Sequence, residues 1–290
     1  MKQTSQIVVI GGGPAGRAVA LAASARRHVT LVDEYATAGA PTLERLMMGA
    51  FVRTARNRSN FDDAQMAALA VRETYLNQLP EKRALQNAGV AVITGQAELV
   101  SDTTVQIGHD LITARNIVIA TGSQTVLPKV TGWDKPLGIG DLFYLKRLAK
   151  RLAVLGFDPS IESLLKAFKS LGARVTIISD VPNPDTDLAT IPATIGSMEK
   201  LQRSYRINLH TIDATASLGA DVIVAVGKNR PSLDLGLDQA NLDHNEGGII
   251  TNRHFQTSNR RIYAVGSCAR SNGSKLSSEE QGRQVGRKLA

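Results

Sequence analysis

The chain has 290 residues, enough for two domains of ordinary size, and its 43% apolar and 21% charged residues are typical of a globular protein. No apolar run is long enough to span a bilayer and the first residues do not form a signal peptide, so we expect a cytoplasmic protein without a membrane span. The net charge of +8 is dispersed and only 4% of the residues are aromatic, so nucleic acid is not an expected partner.

The first elements predict a strand, a glycine turn, a helix and a second strand. Gln6–Ile10 is a β-branched apolar run, an alanine-rich stretch follows the turn, and Val29–Val32 is the next apolar run. The turn, Gly11–Gly16, fits G-x-G-x-x-G in the required position between strand and helix. Asp33 ends the second strand, where a carboxylate can accept hydrogen bonds from ribose hydroxyls. This βαβ unit therefore predicts a dinucleotide site with phosphates at the helix N-terminus.

A long amphipathic helix and a group of short strands come next. Apolar residues at helical spacing predict one helix from Ala64 to Asn87, ended by Gly89. The following strands are predicted at Val90–Ile93, Thr104–Ile107, Leu111–Thr113 and Asn116–Ala120, with a hairpin turn at residues 108–110. Residues 128–140 are rich in Pro and Gly and indicate a linker, so a domain boundary is expected near residue 145.

The second half repeats the opening pattern of strand, helix and strand. Its predicted elements are a strand at Leu152–Leu155, a helix at Ser160–Leu171, strands at Val175–Ile178, Ile207–Thr211 and Val222–Val226, a helix around Ser197–Arg203, a strand at Arg261–Val265 and a final helix at Ser277–Ala290. This internal similarity predicts an α/β protein with two doubly wound lobes.

Four segments, in their order along the chain, resemble the pyridine nucleotide-disulfide oxidoreductase family. They are Gly11–Gly16 with Asp33, Ile117–Ser123, Ala225–Pro231 and Arg261–Ser267. The resemblance implies two Rossmann-like lobes, the second inserted in the first. Residues 1–145 plus 254–290 would form an FAD-binding domain, and residues 146–253 a trimmed NAD(P)-like domain.

The resemblance also implies FAD as the cofactor and a set of residues that bind it. Glycines of the turn would hold the pyrophosphate, Asp33 the adenosine ribose, and Ser267 the ribityl chain, where the family has an aspartate. The full set is Gly11, Gly13, Pro14, Ala15, Gly16, Asp33, Glu34, Ala97, Thr121, Gly122, Gly266 and Ser267. No catalytic residue is assigned.

The sequence departs from the family pattern at three further places. Residues 38–46 lack both redox-active cysteines of the family, so a dithiol relay is not possible there. The second glycine motif, Gly156–Ile161, keeps only its first glycine, and Asp158 before Pro159 is a capping pair whose carboxylate would repel a pyrophosphate. We therefore expect weak or absent NAD(P)H binding. The sequence ends at Ala290, without the family's C-terminal dimerisation domain, so a family-type dimer is not expected.

Two functional hypotheses remain open. The first is an FAD-dependent oxidoreductase that is not a disulfide reductase, with a small-molecule substrate or electron acceptor. The second is a non-catalytic, degenerate family member that acts as a binding or regulatory module. The single cysteine, Cys268, is interpreted as a structural thiol, and five scattered histidines offer no ligand spacing, so no metal site is expected.

Overall fold

The computed structural model describes residues 2–34, 40–57, 59–127, 137–156, 158–179, 189–192, 221–271 and 274–290. The strands are β1 Lys2–Ile10, β2 Val29–Asp33, β3 Ala91–Thr94, β4 Ala97–Leu99, β5 Thr104–Ile107, β6 Asp110–Ile119, β7 Ser123–Val126, β8 Leu137–Gly138, β9 Arg151–Leu155, β10 Arg174–Ser179, β11 Ala189–Pro192, β12 Asp221–Ala225, β13 Lys228–Pro231, β14 His244–Asn245, β15 Gly248–Thr251, β16 Ile262–Ala264 and β17 Ala269–Ser271. The α-helices are α1 Pro14–Ser24, α2 Ala40–Arg56, α3 Phe61–Gln78, α4 Pro80–Asn87, α5 Glu162–Ser170 and α6 Ser278–Leu289. Short 3₁₀ helices lie at Ile139–Tyr144, Pro159–Ile161, Leu237–Ala240 and Gly266–Cys268. Among the described residues, no helix combines the length and the hydropathy needed to cross a membrane.

The chain divides into two compact units. The first contains Met1–Thr42, Tyr75–Gln124 and Asn229–Ala290, and the second contains Leu43–Thr74 and Thr125–Lys228. Both segments of the second unit interrupt the first, as expected for an inserted lobe. The limits expected at residues 145 and 253 do not coincide with these. The segments that begin at Leu43 and at Thr125 belong to the second unit, and side chains from them such as Phe51, Phe61 and Phe143 join its core. Residues 229–253 belong to the first unit.

The first unit is built on a mixed sheet with the strand order β3-β2-β1-β6-β5-β4, in which β16 also pairs with β6. The strands β3, β2, β1, β6 and β16 are parallel to their neighbours, whereas β4, β5 and β6 form antiparallel pairs. Every residue of β2 is buried, as expected for a parallel strand covered on both faces. The predicted strands at 111–113 and 116–120 form one strand, β6, and the predicted hairpin is present, with Ile107 opposite Asp110.

Each face of this sheet is covered by an apolar cluster, and successive residues of β1 alternate between the two clusters. Ile7 and Val9 belong to the cluster that includes α1, whereas Val8 and Ile10 belong to the other. Helices α1 and α6 pack so closely that a Cβ on Gly286 would lie 2.6 Å from the carbonyl oxygen of Val19. A side chain at Gly286 would therefore force the two helices apart.

The prediction of a single helix from Ala64 to Asn87 is wrong in one respect, because the structure has two helices there, α3 and α4. Pro80 lacks an N–H group and cannot continue the hydrogen-bond pattern of α3. The residue before it, Leu79, has a left-handed conformation with φ of 41°. Helix α4 then starts at Pro80, the position at which a proline is tolerated.

The second unit contains a parallel sheet with the order β11-β10-β9-β12-β8. Its core includes Phe51, which stacks on Phe168 at 5.0 Å between ring centroids and meets Phe61 and Phe143 edge-on. The predicted strands at 152–155, 175–178 and 222–226 correspond to β9, β10 and β12. The helix predicted at 197–203 and the strand predicted at 207–211 lie outside the described residues. The largely parallel sheet of the first unit and the parallel sheet of the second confirm the predicted α/β class.

Candidate functional site

The candidate site lies in the first unit, at the carboxyl ends of β1, β2, β6 and β16. Parallel strands bring the residues that follow them to one edge of the sheet, which is where ligands bind in folds of this type. The predicted residues at 11–16, 33–34, 121–122 and 266–267 all follow these strands, so the structure brings them to this edge.

The glycine turn combines two tightly packed glycines with an open one. Gly11 has φ of +105°, and its N–H donates to the carbonyl of Val32 at 2.7 Å. A Cβ on Gly11 would collide with the carbonyl of Ala120, and one on Gly16 would collide with the carbonyl of Gly11. A Cβ on Gly13 would meet no atom within 4 Å. The turn is therefore closed on the strand side and open at Gly13.

Helix α1 begins at this open position without a side-chain cap. Gly13 is the N-cap residue and has no side chain, and Pro14 occupies the first helical position. The first N–H groups of a helix need an acceptor from elsewhere, and a negative charge there is stabilised by the helix dipole. The space at Gly13 and the uncapped start of α1 fit a phosphate group. Ala15 is buried behind the turn and packs the start of α1 against Gly266. A Cβ added to Gly266 would lie 3.1 Å from the Cβ of Ala15.

Asp33 is fixed next to the turn. Its Oδ1 accepts a hydrogen bond from the Gly12 N–H at 2.9 Å, and the Arg17 Nη1 donates to the Gly12 carbonyl at 3.2 Å. Gly12 thus links the acid at the end of β2 to the start of α1. Glu34 follows Asp33 and is exposed. A carboxylate held at this place suits the role of a ribose acceptor predicted from the sequence.

The segments after β6 and β16 complete the edge. The Thr121 Oγ1 donates to the Ser232 carbonyl at 2.7 Å, and the Ser232 N–H donates to the Gly122 carbonyl at 3.0 Å. Gly266 has φ of +78°, and its N–H donates to Oε1 of Gln281 at 2.9 Å. The neighbouring Ser267 is exposed, so its hydroxyl is accessible to a ligand.

Ala97 is the predicted residue farthest from the turn in the sheet. It lies buried on β4, which β5 and β6 separate from β1. The chain just before it is nevertheless tied to the site, because the Gly95 N–H donates to the Asp33 carbonyl at 2.9 Å.

Two polar residues that interact with this edge were missed by the sequence analysis: the Arg17 Nη1 donates to the Gly12 carbonyl, and the charge of Asp33 acts on the hydroxyl of Tyr75. Burial raises the pKa of Tyr75 to about 12, together with a hydrogen bond to Glu81 and the charges of Glu81 and Asp33, while Arg17 lowers it. Tyr75 continues an apolar helical stripe and so is interpreted from sequence as core. The signal that could have found it is Pro80, which ends the helix a few residues later.

The cysteine behind the site is not positioned as a redox group. Cys268 is fully buried, and its Sγ donates to the Val265 carbonyl at 3.3 Å. Burial raises the pKa of its thiol, and hydrogen bonds from Gly122 and Thr121 offset this only in part. A buried thiol of this kind is a poor nucleophile. Within the described ranges, no group of three or more His, Cys, Asp or Glu side chains could hold a metal ion.

The two altered motifs both involve the second unit. Asp158 caps the short helix at Pro159–Ile161, since its Oδ1 accepts from the Ser160 N–H at 2.8 Å, as predicted. Of the segment that replaces the thiols, residues 40–46 form the start of α2. Burial and the charge of Asp141 raise the pKa of Glu44 in this segment.

Known proteins that are similar to this chain include two kinds of reductase. The chain is 28% identical over 212 residues to a glutathione reductase of Nostoc sp., covering 63% of this chain and 46% of that protein. It is 25% identical over 300 residues to a mercuric reductase of Staphylococcus aureus, covering 90% of this chain and 55% of that protein. The chain thus spans about half the length of these curated relatives.

The fold is similar to that of a solved structure, the Cu(II) complex of the HOCl-induced flavoprotein disulfide reductase RclA from Escherichia coli. The TM-score is 0.79 at 22% sequence identity, covering 99% of this chain and 70% of that one. This likeness confirms the predicted pair of Rossmann-like lobes. The family model described as "Pyridine nucleotide-disulphide oxidoreductase" matches residues 5–284. The chain therefore belongs to the pyridine nucleotide-disulphide oxidoreductase family.

Proposed function

We propose that this chain binds FAD, the cofactor of its family, in its first unit and acts as an oxidoreductase without a dithiol relay. The observation that carries the proposal is the glycine turn, open at Gly13 and followed by an uncapped helix, with Asp33 fixed beside it. These are the features that a dinucleotide with a negatively charged pyrophosphate and a ribose requires.

In this proposal the residues of the first unit bind and orient the cofactor. The N–H groups at the start of α1 would hold the pyrophosphate, and Asp33 would accept from the adenosine ribose. The exposed hydroxyl of Ser267 would pair with the ribityl chain, with less strength than the family's aspartate because it carries no charge. When bound, FAD supplies hydride and electron transfer between small molecules.

The absence of a dithiol relay rests on the sequence. Thiol–disulfide exchange with an internal pair needs two cysteines, and the 290 residues contain one. That one, Cys268, is fully buried and its pKa is raised, which opposes thiolate formation. We therefore infer that a small-molecule donor and acceptor exchange electrons with the flavin directly.

For the second unit we propose an NAD(P)-like lobe with weakened binding of the nicotinamide cofactor. Asp158 already satisfies the Ser160 N–H, and its negative charge would repel a pyrophosphate at that helix start. The same observation favours the second candidate function, a non-catalytic binding or regulatory module that retains FAD. The family's members use NAD(P)H, so the two candidates differ in whether NAD(P)H reduces the bound flavin.

The test is the visible spectrum of the purified protein, recorded after incubation with FAD and desalting. Retained flavin absorbance supports the cofactor proposal, and a colourless protein contradicts it. NADH and NADPH are then added separately without oxygen. Bleaching by either nicotinamide supports a reductase. If neither nicotinamide bleaches the flavin and dithionite does, the result supports the binding module or a different electron donor.

A matched variant tests the role of Asp158. Asp158→Ser keeps a capping oxygen and removes the charge, so it should retain most of the helix-start stability. If the carboxylate excludes the nicotinamide cofactor, this variant should be bleached at lower NADH concentrations than the native chain. Identical NADH dependence in both proteins would show that Asp158 does not control binding.

A further inference from the structure

Residues 265–268 form a short turn after β16 that carries the exposed Ser267. The Val265 N–H donates to a carbonyl of β6 at 2.9 Å, and the Sγ of the buried Cys268 donates to the Val265 carbonyl at 3.3 Å. Between them, Gly266 has φ of +78°, a left-handed conformation that a glycine adopts without strain. The backbone before Ser267 and the side chain after it are therefore both fixed, while Ser267 itself is exposed.

A side chain of α6 holds this turn. Gln281 is only 8% exposed, and its Oε1 accepts a hydrogen bond from the Gly266 N–H at 2.9 Å. Its Nε2 donates to the Leu276 carbonyl at 3.0 Å. One buried amide thus satisfies a donor of the turn and an acceptor of the segment that leads into α6. Because buried polar groups need such partners, loss of the amide would release Gly266 from α6.

The same helix packs against the start of α1, where the phosphate site is proposed. Gly282 follows Gln281, and a Cβ added to Gly282 would collide with the Ala15 carbonyl. Helix α6 therefore contacts the start of α1 through Gly282 and the turn that carries Ser267 through Gln281. Two neighbouring residues of one helix thus fix these two parts of the candidate site relative to each other.

We propose that Gln281 is a positioning residue for the flavin half of FAD, because it holds Gly266 so that the Ser267 hydroxyl is directed at the ribityl chain. The inference rests on the proposed binding of FAD and on the role of Ser267 in it. Gln281 is buried and does not contact the cofactor in this scheme. A neutral hydroxyl forms a weaker hydrogen bond than a carboxylate does, so its contribution depends on correct orientation. The adenosine diphosphate half, held by α1 and Asp33, does not need the Gln281 amide.

The test compares the affinities of FAD and ADP for the native chain and for Gln281→Met, which keeps the length of the side chain and removes both hydrogen bonds. FAD is titrated by flavin fluorescence and ADP by calorimetry. We expect Gln281→Met to bind FAD about fivefold more weakly, the loss of one neutral hydrogen bond, and to bind ADP within about twofold of the native affinity. Equal weakening of FAD and ADP would indicate a merely structural role and would overturn the proposal.

The decisive measurement is the loss of FAD affinity caused by Ser267→Ala in different backgrounds. The loss should be about fivefold in the native chain and less than about twofold in Gln281→Met, where the hydroxyl is no longer oriented. The same loss in both backgrounds would show that Gln281 does not act through Ser267 and would overturn the proposal.

A conservative variant tests which hydrogen bond of Gln281 matters. In Gln281→Glu a carboxylate oxygen still accepts from the Gly266 N–H, so Ser267→Ala should again cost about fivefold in FAD affinity. The added charge affects FAD binding with and without Ser267→Ala, so it cancels from this ratio. A loss below about twofold in Gln281→Glu would contradict orientation through Gly266.

Hydrogen exchange gives a readout that does not require the cofactor. Without nucleotide, the Gly266 amide should exchange at least about tenfold faster in Gln281→Met than in the native chain, as followed by NMR. The Val265 amide, which is bonded to β6, should keep its native rate and serves as the local control. Equal exchange rates at Gly266 in both proteins would show that Gln281 does not hold the turn and would overturn the inference.

A matched variant controls for changes to α6 itself. Gln284→Met replaces an exposed glutamine of the same helix and should leave the Tm and both affinities unchanged. If Gln281→Met does not fold, Gln281→Leu removes the same two hydrogen bonds and carries the same comparisons.

The outcomes separate this inference from the proposed function. If the native chain binds neither FAD nor ADP, the FAD proposal fails and the role of Gln281 fails with it. If the native chain binds FAD and Ser267→Ala weakens it, but Gln281→Met changes neither the FAD affinity nor the effect of Ser267→Ala, only the inference about Gln281 is overturned.

Discussion

Substituting the glycines of the turn one at a time separates their role in folding from their role in binding. In Gly11→Ala, the new Cβ would collide with the Ala120 carbonyl at a φ of +105°. We expect the free energy of unfolding of the first unit to fall by about 2–5 kcal/mol, from the left-handed conformation together with the overpacked contact. In Gly13→Ala, φ is −65° and the Cβ meets no atom within 4 Å, so the change should stay below about 0.5 kcal/mol.

Thermal unfolding without nucleotide and FAD titration followed by flavin fluorescence measure the two effects. Gly11→Ala should lower the Tm by roughly 5–15 °C, whereas Gly13→Ala should keep the native Tm to within about 2 °C. Gly13→Ala should nevertheless bind FAD at least about tenfold more weakly, because its Cβ occupies the space through which a phosphate approaches the start of α1. Native FAD affinity in Gly13→Ala would refute the assignment of the phosphate site, and equal losses of Tm would refute the packing argument.

Three further predictions test packing, ribose binding and ionisation. Gly286→Ala should lower the free energy of unfolding by about 1–3 kcal/mol in a urea titration, because its Cβ would lie 2.6 Å from the Val19 carbonyl; unchanged stability would show that α1 and α6 can separate freely. Asp33→Asn keeps an oxygen for the Gly12 N–H and so should retain the native Tm, but should bind FAD about tenfold more weakly; equal affinity would exclude the ribose role. The pKa of Tyr75 is about 12 in the folded protein, compared with an ordinary value of 10.0. The stability that its protonated hydroxyl contributes is therefore complete below pH 10 and is lost as the pH rises through 12. Ultraviolet titration should show one phenolate step near pH 12 that is missing in Tyr75→Phe, and a native spectrum without that late step would contradict the burial of the hydroxyl.

The parts of the fold that could be predicted are those specified by local sequence. The β-branched runs at 6–10 and 29–32 form parallel strands that start or end within a few residues of the predicted positions. Strand β1 extends back to Lys2 because its first residues pair with the start of β6, from Leu111 to Ala114. That extension depends on a partner about one hundred residues away, so no local pattern indicates it. Pairing on both edges likewise joins two predicted strands into β6.

The parts that could not be predicted depend on packing between distant segments. Phe51 and Phe61 belong to the core of the second unit, where Phe51 stacks on Phe168, and this moves the unit boundary away from the predicted linker. The division of the long helix was signalled by Pro80 but was hidden by an apolar stripe that continues to Tyr75. Glu81 lies in the first turn of α4 because of that division, and its charge raises the pKa of Tyr75.

The two glycine turns of this chain show how one structural requirement can have opposite functional results. The first N–H groups of a helix need acceptors, whether these come from the chain or from a ligand. At α1 the N-cap is Gly13, which has no side chain, and the neighbouring carboxylate of Asp33 accepts from the N–H of Gly12, which precedes the helix. In the second unit the Asp158 carboxylate fills this role for Ser160. An anion can therefore stabilise the first turn, whereas at the second it would have to displace a group of its own charge. This asymmetry is the physical reason to expect dinucleotide binding to be concentrated in the first unit.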